Sequence, residues 1–178
     1  MASRPGFFAE IPKRRTRFGV PGQKTVRIGN TEMPAMTDDI VAIQQVLYRY
    51  CFAVDKGTAD DVAALFHENA TLMPVYSGEP PVHGRAAIRE WYVNYHRDLR
   101  GRVDHLRHCV TNPAIDVSGN EATAQCYLIA DAVPKTGGNP YSVAGYYLDK
   151  LVKDGGRWYF KERQIHVTHT VENNPVRR

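Results

Sequence analysis

The sequence is poor in cysteine. Its three, Cys51, Cys109 and Cys126, form no CxxC pair and cannot all pair with one another. A disulfide framework is therefore excluded, and free, buried thiols in a reducing cytoplasm are expected. Long apolar runs are missing too. No stretch is long and apolar enough to cross a membrane and no signal-peptide core is present, so the expectation is a cytoplasmic location with no membrane partner. A glycine-rich phosphate loop and a serine nucleophile elbow are also absent. The pairs His105/His108 and His166/His169 have HxxH spacing, but a three-residue step on a strand sets its two ends on opposite faces, a poor metal clamp. No metal and no cofactor are expected.

What is present is ordinary in amount and uneven in placement. Of 178 residues, 43% are apolar and 24% charged, the balance of a globular domain. The net charge of +4 belongs to one end. Residues 1–37 hold seven Lys and Arg against two Glu, and the rest hold sixteen against seventeen acids. A basic arm suits nucleic acid or an acidic surface, yet no nucleic-acid-binding motif accompanies it. It reads as a solvated extension, or as an over-long start before Met33 or Met36, and no nucleic-acid partner is expected.

Residues 1–36, with Pro5, Pro12, Pro21 and Pro34, lack long periodicity and are read as a basic extended arm. Residues 37–172 are read as one domain and 173–178 as a tail. Thr37-Asp38-Asp39 offers a capping hydroxyl and first-turn acids for a helix running to about Lys56. Thr58-Ala59-Asp60 opens a short second helix through Val62, Leu65 and Phe66. Residues 70–74 read as a short strand, and Gly84 opens a third helix through Trp91, Tyr92 and Tyr95. Four strand patterns follow, over 104–116, 122–133, 142–153 and 158–170, with turn signals at Ser118-Gly119-Asn120 and Asp154-Gly155-Gly156. Three helices followed by hairpin-linked strands predict an α+β fold, a curved antiparallel sheet covered on one face by helices with a cavity between them.

Ile43, Leu47, Tyr50 and Val54 keep helical spacing on one apolar face. Asp55 closes that stripe just before the stop signal Lys56-Gly57. A carboxylate there is either paired and in use or a capping acid. Strand alternation puts Leu106, His108 and Val110 on one face, Tyr127, Ile129 and Asp131 on one face of the next strand, and Lys161, Arg163 and Ile165 on one face of the last, opposite Phe160 and Glu162. His108 is suited to take a proton at neutral pH, and a carboxylate on its other ring nitrogen would hold the tautomer and stabilise the imidazolium. Asp55 is the candidate for that role. Tyr50 is a hydrogen-bond donor or a core aromatic. Asp131 is a second acid or base, or a strand-end acid facing water. Arg163 holds an anionic or carbonyl oxygen, or partners Asp131 or Asp55. Trp91, Tyr92, Tyr95, Tyr127 and Tyr146 would wall the pocket, in part as ordinary core.

The helix end Ala53-Val54-Asp55-Lys56-Gly57, the strand His108-Cys109-Val110-Thr111-Asn112 and the closing run from Asp154-Gly155-Gly156 to Arg163 together resemble the SnoaL-like branch of the nuclear transport factor 2-like superfamily. The pattern is similar to bile-acid 7α-dehydratase, scytalone dehydratase and hexachlorocyclohexane dehydrochlorinase, over about residues 38–170. The resemblance implies a cone-shaped curved sheet closed by three helices, with the site inside. It implies a carboxylate–His pair at Asp55 and His108, with Tyr50, Asp131 and Arg163 as further site residues. The activity implied is that of a cofactor-independent lyase of the dehydratase type, or an isomerase using the same proton abstraction, acting on a hydrophobic cyclic molecule such as a steroid, polyketide or terpenoid. A homo-oligomer, trimer or dimer, is expected. The alternative is a non-catalytic small-molecule-binding or assembly module of the same fold.

Overall fold

The computed structural model describes residues 33–172. The expected arm over 1–32 and the tail over 173–178 lie outside the described residues. Helix α1 (Met33–Lys56) is followed by α2 (Ala59–Ala63), β1 (Phe66–Met73), a two-residue strand β2 (Val82–His83), α3 (Arg85–Asp98), and four long strands. These are β3 (Val103–Ser118), β4 (Glu121–Pro134), β5 (Tyr141–Asp154) and β6 (Arg157–Glu172). They form one curved, open sheet in the order β2-β1-β6-β5-β4-β3. This is the expected α+β architecture of the nuclear transport factor 2-like cone.

Two boundaries differ from the sequence reading for physical reasons. Helix α1 starts at Met33 rather than at Thr37. Asp39 does not serve the helix end; its Oδ1 accepts from Lys153 Nζ (2.7 Å) and Trp158 Nε1 (2.8 Å), tying α1 to the β5–β6 hairpin. These two donors hold its carboxyl below the usual range. The strand read over 70–74 begins at Phe66, and it pairs with β6 in parallel, not antiparallel. Phe66 is thus a buried strand residue rather than the end of α2.

The core follows from two periodicities. Ile43, Leu47, Tyr50 and Val54 are all buried on α1, as their helical spacing requires. On β4, Ala122, Ala124, Cys126, Leu128, Ala130 and Ala132 are buried at strict period two. Small side chains on that face leave room for the helix. The opposite parity is the outer face, so Tyr127 (62% exposed) and Ile129 (45% exposed) lie outside, not inward as alternation from Asp131 suggested. Cys51 and Cys126 are buried thiols, pushed up to about 12 and about 11 by burial. Cys109 is exposed, against expectation, because it lies on the outer side of β3.

Bulges bend the long strands around α1. Strand β3 carries an extra residue between Asp104 and Arg107 and another between Thr111 and Ala114. His105 and Asn112 take the left-handed conformation there, at φ 54° and 53°. A shift between Lys150 and Leu151 of β5 leaves Lys161 of β6 unpaired. Phe160 and Arg163 therefore point to the same buried side while Lys161 is exposed. Sequence alternation had set Phe160 and Arg163 on opposite faces. A fourth irregularity sits at Ala144/Gly145, where a Cβ on Gly145 would lie 2.0 Å from the His166 carbonyl oxygen. Only glycine lets the two strands approach so closely.

Candidate active site

The end of α1 is fixed before it meets the sheet. Gly57 N–H donates to the Ala53 carbonyl at 2.9 Å. Arg100 Nη1 donates to the Val54 and Gly57 carbonyls at 3.2 and 2.6 Å. The helix-end carbonyls, which have no intrahelical donors, are thereby satisfied. Asp55 lies within this clamped turn. Its Oδ2 accepts the backbone N–H of His108 (2.9 Å) and its Oδ1 accepts the Nδ1–H of the same residue (2.6 Å). Both side chains are nearly buried, at 6% and 10% exposure. A carboxylate acceptor fixes the imidazole proton on Nδ1 and leaves Nε2 with its lone pair.

His108 borders a cavity of about 250 Å³ between α1, α3 and the sheet. Tyr50, Tyr76, Tyr92, Tyr95, Tyr141 and Tyr147 also line it, with Val54, Trp91, Leu106, Leu128 and Ile165 supplying apolar surface. Tyr50 Oη and Tyr92 Oη share a 2.5 Å hydrogen bond. Burial pushes the Tyr50 hydroxyl up to about 12 against the pull of Arg163, and holds Tyr92, Tyr95 and Tyr147 above the usual range. These four phenols therefore keep their protons and serve as donors rather than bases. Trp91 Nε1 donates to Glu79 Oε2 at 2.8 Å, fastening the loop that carries Tyr76.

The five residues singled out in the sequence do not all meet. Tyr50 and His108 share the cavity, and Asp55 stands behind His108. Asp131 borders the cavity at its rim and also a larger outer groove shared with Asp55, Arg107 and Tyr141. Its carboxylate is occupied, by an ion pair with Arg107 and by the Ser142 hydroxyl at 2.7 Å. These hold its carboxyl below the usual range, which suits an anion and not a proton donor. Arg163 is fully buried and does not line the cavity. Its partner is neither Asp131 nor Asp55 but Asp149, at 3.3 Å. Burial pushes the Asp149 carboxyl up to about 7 against the pull of Arg163, whose guanidinium is held charged.

Of the aromatic set, Trp91, Tyr92 and Tyr95 line the cavity. Tyr127 and Tyr146 border a shallow outer groove instead. Tyr76, Tyr141, Tyr147 and Asp149 went unnoticed in the sequence. For Tyr147 the signal was there: it shares strand parity with Asp149 and Leu151, and all three are buried. Among the described residues no group of three or more His, Cys, Asp or Glu is placed to hold a metal ion, and no helix is long and apolar enough to cross a membrane.

Solved structures similar to this chain carry the same fold. A candidate scytalone dehydratase from Novosphingobium aromaticivorans is 24% identical, with a TM-score of 0.69 over 80% of this chain and 92% of that one. A candidate aromatic ring hydroxylase from the same organism is 26% identical, with a TM-score of 0.66 over 77% and 94%. A type 2 hexachlorocyclohexane dehydrochlorinase is 15% identical, with a TM-score of 0.66 over 79% and 93%. No curated protein matches. The SnoaL-like domain matches residues 35–164, a span holding most of α1, the Asp55–His108 pair, β3 to β5 and the first half of β6, and the chain belongs to that family.

Proposed function

We propose that the protein is a cofactor-independent lyase of the dehydratase type, or an isomerase using the same first step, acting on a hydrophobic cyclic molecule. The observation that carries this reading is the Asp55–His108 pair, closed by two hydrogen bonds at 2.6 and 2.9 Å beside a tyrosine-lined cavity. His108 Nε2 takes a proton from a ring carbon, and Asp55 holds the resulting imidazolium. In elimination the C–H electron pair becomes the new C=C bond, the C–O bond breaks, and the departing hydroxide leaves as water with the proton from His108. In isomerisation the same proton returns to another carbon. The free proton of the Tyr50–Tyr92 hydroxyl pair stabilises the oxygen that gains charge. At about 250 Å³ the cavity falls just below the usual range for drug-sized ligands, about 300–1,000 Å³. It suits one or two rings better than a four-ring steroid.

The test is turnover of ring compounds with a hydroxyl β to a carbonyl, selected by thermal shift and followed by loss of water in mass spectrometry. His108→Ala and Asp55→Asn should each cost ~10²–10⁴-fold. The two losses should not add, because Asp55 acts only through His108. Full activity in His108→Ala sinks the mechanism. A second reading, a binding or assembly module that joins subunits, is favoured by the exposed Tyr127 and Ile129 on the outer sheet face. It becomes the better one if ring compounds bind and none is turned over.

A further inference from the structure

Arg163 is a fully buried cation placed behind the cavity wall. Its guanidinium carbon lies 3.8 Å from the centre of the Tyr50 ring, 3.9 Å from that of Tyr147 and 4.2 Å from that of Phe160. Tyr50 and Tyr147 line the cavity; Arg163 does not. Its counter-ion Asp149, 3.3 Å from Nε, borders a different groove, shared with Thr123, Gln125 and Glu162. The guanidinium thus lies against the two tyrosine rings, and the fully buried Asp149 carboxylate sits at its Nε.

This arrangement is a poor device for stability. Asp149 Oδ1 and Oδ2 and Arg163 Nε, Nη1 and Nη2 make no hydrogen bonds among the described residues. Buried ion pairs without such bonds are often matched or surpassed by apolar side chains of similar volume. A cation against the face of a phenol ring has another effect. It draws on the ring's electron density and makes the hydroxyl a stronger donor. Tyr50 and Tyr92 share one hydrogen bond of 2.5 Å, which uses one of their two hydroxyl protons and leaves the other for a guest.

We propose that Arg163 is a positioning residue acting through Tyr50 and Tyr147: its buried charge, oriented by Asp149, strengthens their hydroxyls toward a guest oxygen that carries negative charge, so the cavity prefers phenols, enols and enolisable carbonyl compounds. This rests on the reading of the cavity as a proton-abstracting site, but its test needs no turnover.

The probe is 4-nitrophenol, whose phenolate absorbs visible light and whose neutral form does not. Bound to the wild type at a pH below its own midpoint, it should show a phenolate-to-phenol ratio about tenfold above that in solution, the size of effect a favourable nearby charge exerts. Asp149→Asn keeps the cation and removes a counter-charge only where Asp149 is ionised, above about 7, so its ratio should match the wild type's at pH 6 and exceed it at pH 8. Arg163→Met/Asp149→Leu replaces the pair by apolar groups that keep the core filled, and the enhancement should vanish while the melting transition stays sharp. A purely structural pair would not shift the probe in opposite directions. Equal ratios free and bound in the wild type, an equal enhancement in the double variant, or a fall in Asp149→Asn overturns the proposal. An enhancement without turnover of any ring compound would sink the lyase reading alone. His108-dependent turnover without an enhancement would sink this one alone.

Discussion

Asp55 and Asp149 show how position decides what a carboxylate does. Asp55 is nearly buried yet has both oxygens engaged by His108. Asp149 is fully buried with one cation and no hydrogen bond. Desolvation therefore dominates at Asp149 and raises its carboxyl to about 7. The consequence for stability has a definite sign. Below about pH 4 the group holds its proton both folded and unfolded. Between there and 7 the folded protein keeps a proton that the unfolded chain releases, so this contribution to stability falls as pH rises and is gone above 7. Asp131, held low by Arg107 and Ser142, acts oppositely, adding stability above its unfolded midpoint and losing it in acid. Asp149→Asn isolates the first effect because Asp131 is common to both proteins. Urea midpoints of wild type and variant should lie close at pH 5 and separate toward pH 8, with the variant the more stable. Parallel curves across that range would show that Asp149 ionises normally.

At the scale of elements, the bulges of β3 set the site. From Val103 a regular strand would turn His108 to the outer face. The extra residue between Asp104 and Arg107, with His105 at φ 54°, restores the inward parity of Leu106 and His108. A β-branched residue resists this conformation by ~1–2 kcal/mol. Glycine adopts it freely but adds unfolded-state entropy of about 0.5–1 kcal/mol. His105→Gly should therefore stay near wild-type stability, and His105→Val should be less stable by the larger amount in urea unfolding. His105→Val should also lose activity beyond its loss of folded protein, because relaxing the bulge turns His108 away from Asp55. Here the limit of the sequence is visible. The helix stripe of Ile43, Leu47, Tyr50 and Val54 and the order of the strands were legible, since periodicity and turn residues are local. The Lys161 bulge, the parallel β1–β6 pairing and the Asp149 partner of Arg163 were not, since each depends on how two distant strands register. The inward face of β4 was legible after all, in the alternating small residues from Ala122 to Ala132, a stronger sign than one acid at the strand end.

Over the whole molecule, charge is placed unevenly along the chain. Among the described residues the buried apolar ones run from Ile43 to Ile165, and in the sequence the excess of Lys and Arg belongs to residues 1–37. The stretch before Met33 has no periodic apolar face, and chain of that kind contributes little buried area. A start at Met36 would cut into α1, which begins at Met33. A chain starting at Thr31 keeps the helix whole, with Asp39 still able to meet Lys153 and Trp158. Its melting temperature should therefore lie within a few degrees of the full chain's, a shift of no more than about 1 kcal/mol for a domain of this size. A chain starting at Ile40 loses the first turns and the Asp39 carboxylate that ties α1 to the β5–β6 hairpin, so it should melt clearly lower. A large drop already at Thr31 would show instead that the basic segment packs against the domain or bridges two copies of it.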